Sequence, residues 1–217
     1  MTSDNNDFYA ALIHELKNDL GLLSMTLDAI PASGEPARDA AVDAARLQCQ
    51  GVTERLQQAL LIYKFNHGGF HPVIDAYSPH DLIAEIGRRA ETLSHGRIRI
   101  QTNVDGAVPP IWFFDRDLVE MALINAIHNS LVYARAAIKI QARVQDGCLT
   151  FSVRDDSEGY PAHILASLAD GTPYRARGTG LGLQFARLIA QAHDNRGRAG
   201  QLYLCNDAGA VFTLALP

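Results

Sequence analysis

Asn66-His67-Gly68-Gly69 divides this chain into two halves that follow different rules. On its N-terminal side, apolar residues return every three or four positions. On the far side the spacing alternates between helix and strand periods. Four residues that favour helix ends, two of them glycine, stop a helix at this point.

Back from that break, Tyr63, Ala59, Leu56, Val52, Cys49, Ala45 and Val42 form one seam. Ile30, Leu27, Leu23, Leu20, Leu16, Ile13 and Tyr9 form another, and Pro31-Ala-Ser-Gly-Glu-Pro36 reads as the turn between them. Two antiparallel helices with apolar seams make a hairpin. A hairpin alone has too little core. Pairing with a second copy into a four-helix bundle is therefore expected, the other outlet being contact with the rest of the chain.

Forward from the break, a helix is expected over Ser78 to Thr92, with Ser78 as cap and Leu82, Ile83 and Ile86 on one side. Asp115 to Tyr133 and Gly182 to His193 read as further helices. Arg97 to Val104, Ala137 to Val144, Cys148 to Arg154, Gln201 to Cys205 and Val211 to Leu216 read as strands. The expected fold class is α+β: a helical hairpin over residues 1–70, then an α/β two-layer sandwich over 71–217.

Composition narrows the function. The 217 residues carry a net charge of -5, a balance that does not suggest nucleic acid, whose binding surfaces are basic. No apolar run reaches the roughly 18 residues of a membrane span. Met1 to Asp7 is polar and acidic, unlike a signal peptide. Cys49, Cys148 and Cys205 lie far apart with no metal-ligand spacing, which fits a reducing cytoplasm.

Four segments carry chemistry. In His14-Glu15-Leu16-Lys17-Asn18, the seam takes Ile13 and Leu16, so His14 stands beside it in water. An exposed imidazole next to a carboxylate is a nucleophile for a phosphoryl group. Asn18 lies one turn on. In Asn125-Ala-Ile-His-Asn129, two carboxamides share a face of an apolar helix, and their oxygens suit a hard cation such as Mg2+. In Asp155-Asp-Ser-Glu-Gly159, a strand ends on a carboxylate able to accept from the exocyclic amine of adenine, and Gly159 admits close backbone approach to a ring. Gly178-Thr179-Gly180-Leu181-Gly182-Leu183 opens a helix whose N-terminal N–H groups suit an anion, with Arg175 and Arg177 upstream adding positive charge. The spacing is neither that of a P-loop nor that of a dinucleotide fingerprint.

In this order the segments resemble the H, N and two glycine boxes of the histidine kinases of two-component signalling, and the closing Val211-Phe-Thr-Leu-Ala-Leu-Pro217 is similar to that family's last strand. The resemblance covers nearly the whole chain. It implies a Bergerat-type ATP site in which Asn125 and Asn129 hold Mg2+, Asp155 contacts adenine, and the second glycine box wraps the phosphates. It implies that His14 takes the γ-phosphoryl group of ATP, with Glu15 as base or orienting group, and passes it to the receiver domain of a response regulator. The Glu15-x-x-Asn18 pattern also goes with dephosphorylation of that partner. The input is expected from a separate sensor or upstream kinase. The sequence departs from the pattern at Asp19 (usually proline), Ser157 (usually glycine) and Val132 (usually lysine or arginine). The alternative is a non-catalytic dimeric phosphotransfer or scaffold protein with a decayed ATP site.

Overall fold

The structure, a computed structural model, describes residues 16, 18–27, 29–30, 34–67, 71–169 and 181–217. The chain divides into two compact units, Met1–Phe70 and His71–Pro217. In the first, residues 18–27 are helical (α1), passing through Asp19 without a break, and Pro36–Asn66 form α2. Pro36 opens α2 where its missing N–H is not needed. The helix stops at the expected place, with the His67 N–H donating to the Lys64 carbonyl.

The two helices meet along part of the expected seam. Leu20, Leu27 and Ile30 are half-buried, Cys49 is buried, and the Cys49 thiol donates to the Leu20 carbonyl at 3.2 Å. Leu16, Leu23 and Val52, also seam positions, stay 42%, 49% and 42% exposed. One copy of the hairpin therefore leaves a stripe of its own seam in water.

The second unit is a two-layer α+β sandwich. Its elements are β1 (Asp75–Tyr77), α3 (Pro79–Ser94), β2 (Arg99–Val104), β3 (Trp112–Phe114), α4 (Arg116–Tyr133), β4 (Ala137–Gln145), β5 (Cys148–Asp155), α5 (Ala162–Ala169), α6 (Leu181–Ala192), β6 (Asp194–Asn195), β7 (Arg198–Ala199), β8 (Gln201–Asn206) and β9 (Ala210–Leu216). Five strands form one sheet in the order β2-β4-β5-β9-β8, with β2 and β4 parallel and the other pairs antiparallel. Alternation along the central strands sends Ile138, Ile140, Leu149, Phe151, Phe212 and Leu214 inward against α3, α4 and α6. Lys139, Arg143, Thr150 and Tyr203 occupy the other face.

Ser78 caps α3 as expected, its hydroxyl accepting from the Asp81 N–H at 3.2 Å. β2 starts two residues later than the pattern suggested. His95 ends α3 in the left-handed conformation, and Ser94 takes the Gly96 N–H, so the turn uses up the residues before Arg99. The pairs β1–β3 and β6–β7 are too short for a period to reveal, and α5 lies in a stretch for which no element was expected.

A buried histidine joins the end of α6 to the start of α4. His193 is 3% exposed. Its Nδ1 donates to the Ile189 carbonyl at 2.7 Å, and its Nε2 accepts the Asp115 N–H at 2.9 Å. Asp115 in turn caps α4, accepting from Leu118 N at 3.1 Å, and holds Val73 N at 2.7 Å. Burial lowers the His193 pKa, and the Ile189 carbonyl and Asp115 carboxylate oppose this without reversing it. Between the folded pKa and about 6.5, the unfolded chain binds more protons, so the contribution is complete above about 6.5 and lost as pH falls below it. We expect chemical denaturation to show weaker folding at about pH 5 than at about pH 8. His193→Phe should flatten that difference and cost about 1–3 kcal/mol at neutral pH by stranding the Asp115 N–H.

Candidate functional site

α4 presents its apolar residues, among them Val119, Leu123 and Ile127, to the sheet. Asn125 and Asn129 lie one turn apart, and the Asn129 Nδ2 donates to the Asn125 Oδ1 at 3.3 Å. That bond leaves the Asn129 oxygen uncommitted within the pair, and Asn129 is exposed. The Asn125 Nδ2 is buried with no hydrogen-bond partner among the described residues. His128 is half-buried, and Val132 is 73% exposed.

The start of α6 lies directly against this pair. A Cβ built on Gly182 would come within 2.5 Å of the Asn125 Nδ2 and 2.6 Å of its Oδ1. Only glycine lets the helix approach so closely. The first turn of α6 contains no acidic residue, so nothing there neutralises the positive end of its dipole. An orphan amide donor beside a helix N-terminus suits an anionic oxygen.

Asp155 ends β5 on the same rim and is 6% exposed. Its Oδ2 accepts the Ser130 hydroxyl at 2.7 Å. Its Oδ1 accepts the N–H groups of Ser157 at 3.0 Å and Ala210 at 3.1 Å. Ser157 turns its hydroxyl onto the Gly159 N–H at 3.1 Å, so this departure from glycine fastens its own loop. Gly159 has φ +90°, and the Asn206 carboxamide comes within 2.5 Å of a Cβ built there. Asn206 clamps the next residue, accepting Tyr160 N at 2.7 Å and donating to Tyr160 O at 3.0 Å.

Asp156 anchors the loop from the other side. It accepts the N–H groups of Arg135, Ala136 and Ala137 at 2.7, 2.9 and 3.2 Å. Slight desolvation pushes its pKa up, and the backbone donors outweigh that and hold it below the usual carboxylate value.

The structure thus brings together Asn125, Asn129, Asp155, Gly159 and Gly182, with Leu181 as the first residue of α6. Asn18 is exposed on α1, in the other unit. His14, Glu15, Arg175, Arg177, Gly178, Thr179 and Gly180 lie outside the described residues. Ser130, Asn206 and Ala210 complete the arrangement and were not singled out from sequence. A serine directly after the second asparagine was the one available hint. Chemically, the rim offers a buried acceptor at one end and, one helix turn away, amide groups facing a helix N-terminus. That suits a ligand with an amine-bearing ring and an anionic tail.

Residues 114–217 match the family model of the histidine kinase-, DNA gyrase B-, and HSP90-like ATPases. The signal transduction histidine-protein kinase AtoS of Escherichia coli (strain K12) is 25% identical over 219 residues, covering 97% of this chain and 34% of that protein. The sensor-like histidine kinase SenX3 of Mycolicibacterium smegmatis is 23% identical over 229 aligned residues, covering all of this chain and 58% of its own length. The chain therefore spans between about a third and three fifths of these relatives. The crystal structure of full-length ShkA in complex with AMPPNP superposes with a TM-score of 0.73 over 97% of this chain and 45% of that one, at 20% identity, which shows a shared fold.

Glycine to alanine within a helix ordinarily stabilises by about 1 kcal/mol. At Gly182 we expect the opposite sign, a loss of about 1–3 kcal/mol in a denaturant melt, because the added methyl meets the Asn125 amide.

Proposed function

We propose that this chain, whose residues 114–217 match the histidine kinase-, DNA gyrase B-, and HSP90-like ATPases and whose relatives AtoS and SenX3 are histidine kinases, is a histidine kinase of two-component signalling that binds ATP with Mg2+ on the rim of its second unit, phosphorylates its own His14, and passes the phosphoryl group to an aspartate of a response-regulator receiver domain. The observation that carries this reading is the seating of Gly182 on Asn125. Two segments recognised separately in the sequence, the asparagine pair and the second glycine box, meet where the phosphates of a nucleotide would lie. In the same reading Asp155 accepts the exocyclic amine of adenine, and Gly178, Thr179, Gly180, Leu181 and Gly182 wrap the phosphates with Arg175 and Arg177 beside them.

The residues present fit a hard cation. The asparagine oxygens are hard donors, the Asn129 oxygen is uncommitted within the pair, and the buried Asn125 Nδ2 has no acceptor among the described residues, one that a phosphate oxygen would supply. Asn129, with Asn125 orienting it, would hold Mg2+, which supplies charge stabilisation to the phosphates. The chain's own part is positioning. Asp155 fixes the base, the start of α6 fixes the phosphates, and Glu15 orients one imidazole nitrogen of His14 so that the other forms the new N–P bond as the γ-phosphorus–oxygen bond breaks and ADP leaves.

The exposed seam residues Leu16, Leu23 and Val52 support a homodimer in which a second hairpin covers them. Glu15 and Asn18 would then also serve dephosphorylation of the receiver. The input would come from a separate sensor or an upstream kinase, and the reading sets the chain in the cytoplasm, where ATP is. No described helix is long and apolar enough to cross a membrane.

With γ-labelled ATP and Mg2+, the wild type should acquire acid-labile, base-stable label. His14→Ala should bind ATP and stay unlabelled, and Asn129→Ala should lose label about a hundredfold or more with the fold intact. Label on His14→Ala moves the acceptor elsewhere. No label and no nucleotide binding by the wild type would make the chain a phosphotransfer or scaffold protein.

A further inference from the structure

We propose that Ser130 is a positioning residue for nucleobase recognition: its hydroxyl fixes the carboxylate of Asp155 and so sets which base the site accepts. This rests on the reading that Asp155 meets the base. A hydroxyl inside a helix usually returns to the carbonyl four residues back. In this chain Thr26, Thr53, Thr92 and Ser167 do so. Ser130, also within a helix, instead crosses to Asp155, 25 residues on, at 2.7 Å. Both groups are buried, at 6% exposure each.

The consequence lies in how the carboxylate is held. Two backbone N–H groups, from Ser157 and Ala210, fill Oδ1. Both oxygens lie off the Cβ–Cγ axis, so turning the carboxylate would break those contacts. Ser130 binds the other oxygen and adds a third hold on the same orientation. Each carboxylate oxygen has room for about two donors, so Oδ2 keeps one acceptor position. Because the serine spends its proton on Asp155, the Ser130–Asp155 pair presents acceptors only. An exocyclic amine is satisfied there, whereas a ring carbonyl in the same place meets lone pairs and is rejected. Ser130 also follows Asn129 directly, so one helical turn carries both the anchor of the base and an amide of the phosphate end.

The test uses the full chain, with calorimetry of ATP and GTP binding and self-labelling kinetics on the wild type, Ser130→Ala, Ser130→Thr, Asp155→Asn and the double variant Ser130→Ala/Asp155→Asn. Ser130→Ala should weaken ATP binding about tenfold and narrow the preference for ATP over GTP. Its labelling rate at saturating ATP should be unchanged, and Ser130→Thr should restore binding. In the Asp155→Asn background, Ser130→Ala should add no further loss. Wild-type affinity in Ser130→Ala, a fully additive loss in the double variant, or a lower rate with unchanged ATP affinity would each overturn the role. Should Ser130→Ala not fold, Ser130→Cys, nearly the same in size with only a weak donor, carries the same expectation. A wild type that binds no nucleotide would remove the reading of Asp155 itself, and this role with it.

Discussion

A carboxylate that is 6% exposed must be given donors, because burying one unpaired is costly. Asp155 receives three: one from α4, one from its own loop and one from the start of β9. Those bonds do more than satisfy a charge. They fix the register at which a helix, a loop and a strand from distant parts of the chain converge. Asp156, the next residue, does the same for the turn entering β4. Much of the rim is thus organised by two adjacent acids at a strand end. One is turned inward to a serine and to backbone, the other outward to backbone alone.

The opposite end of the helical layer has its own brace. His193 reaches from α6 to the first turn of α4 and accepts an N–H that also belongs to the α4 cap. α4 is therefore pinned near its start by an imidazole and near its end by Ser130, while Gly182 lets α6 lie close in between. The asparagine pair sits on the segment so held. Precision at those amides is a property of the helices at either side as much as of the residues themselves.

The sequence made legible what repeats or what has few chemical uses. Apolar periods marked α3, α4, β4, β5, β8 and β9 because each is long enough to bury one face repeatedly. Asn125, Asn129, Asp155 and Gly182 stood out because amides on an apolar helix, an acid at a strand end and alternating glycines have few ordinary explanations. Three-residue strands such as β1 and β3 carry no period. Ser130, Asn206 and Ala210 act through partners 25, 46 and 55 residues away, and no local pattern encodes a pairing at that distance. In the sequence Ser157 stands where the family pattern usually has glycine. In space its hydroxyl belongs to the loop, because Gly159 offers it an N–H.

The sheet order has a consequence for synthesis. β5 lies between β4, which precedes it, and β9, which follows it by way of α5, α6 and β8. As the chain leaves the ribosome, β5 has one open edge, and Asp155 lacks the Ala210 N–H until 55 further residues have emerged. A chain stalled before β9 holds every residue of the asparagine pair and both glycine segments, yet its Asp155 carboxylate is one donor short. The strand order thus leaves the end of β5 unfinished until the last strand has been made.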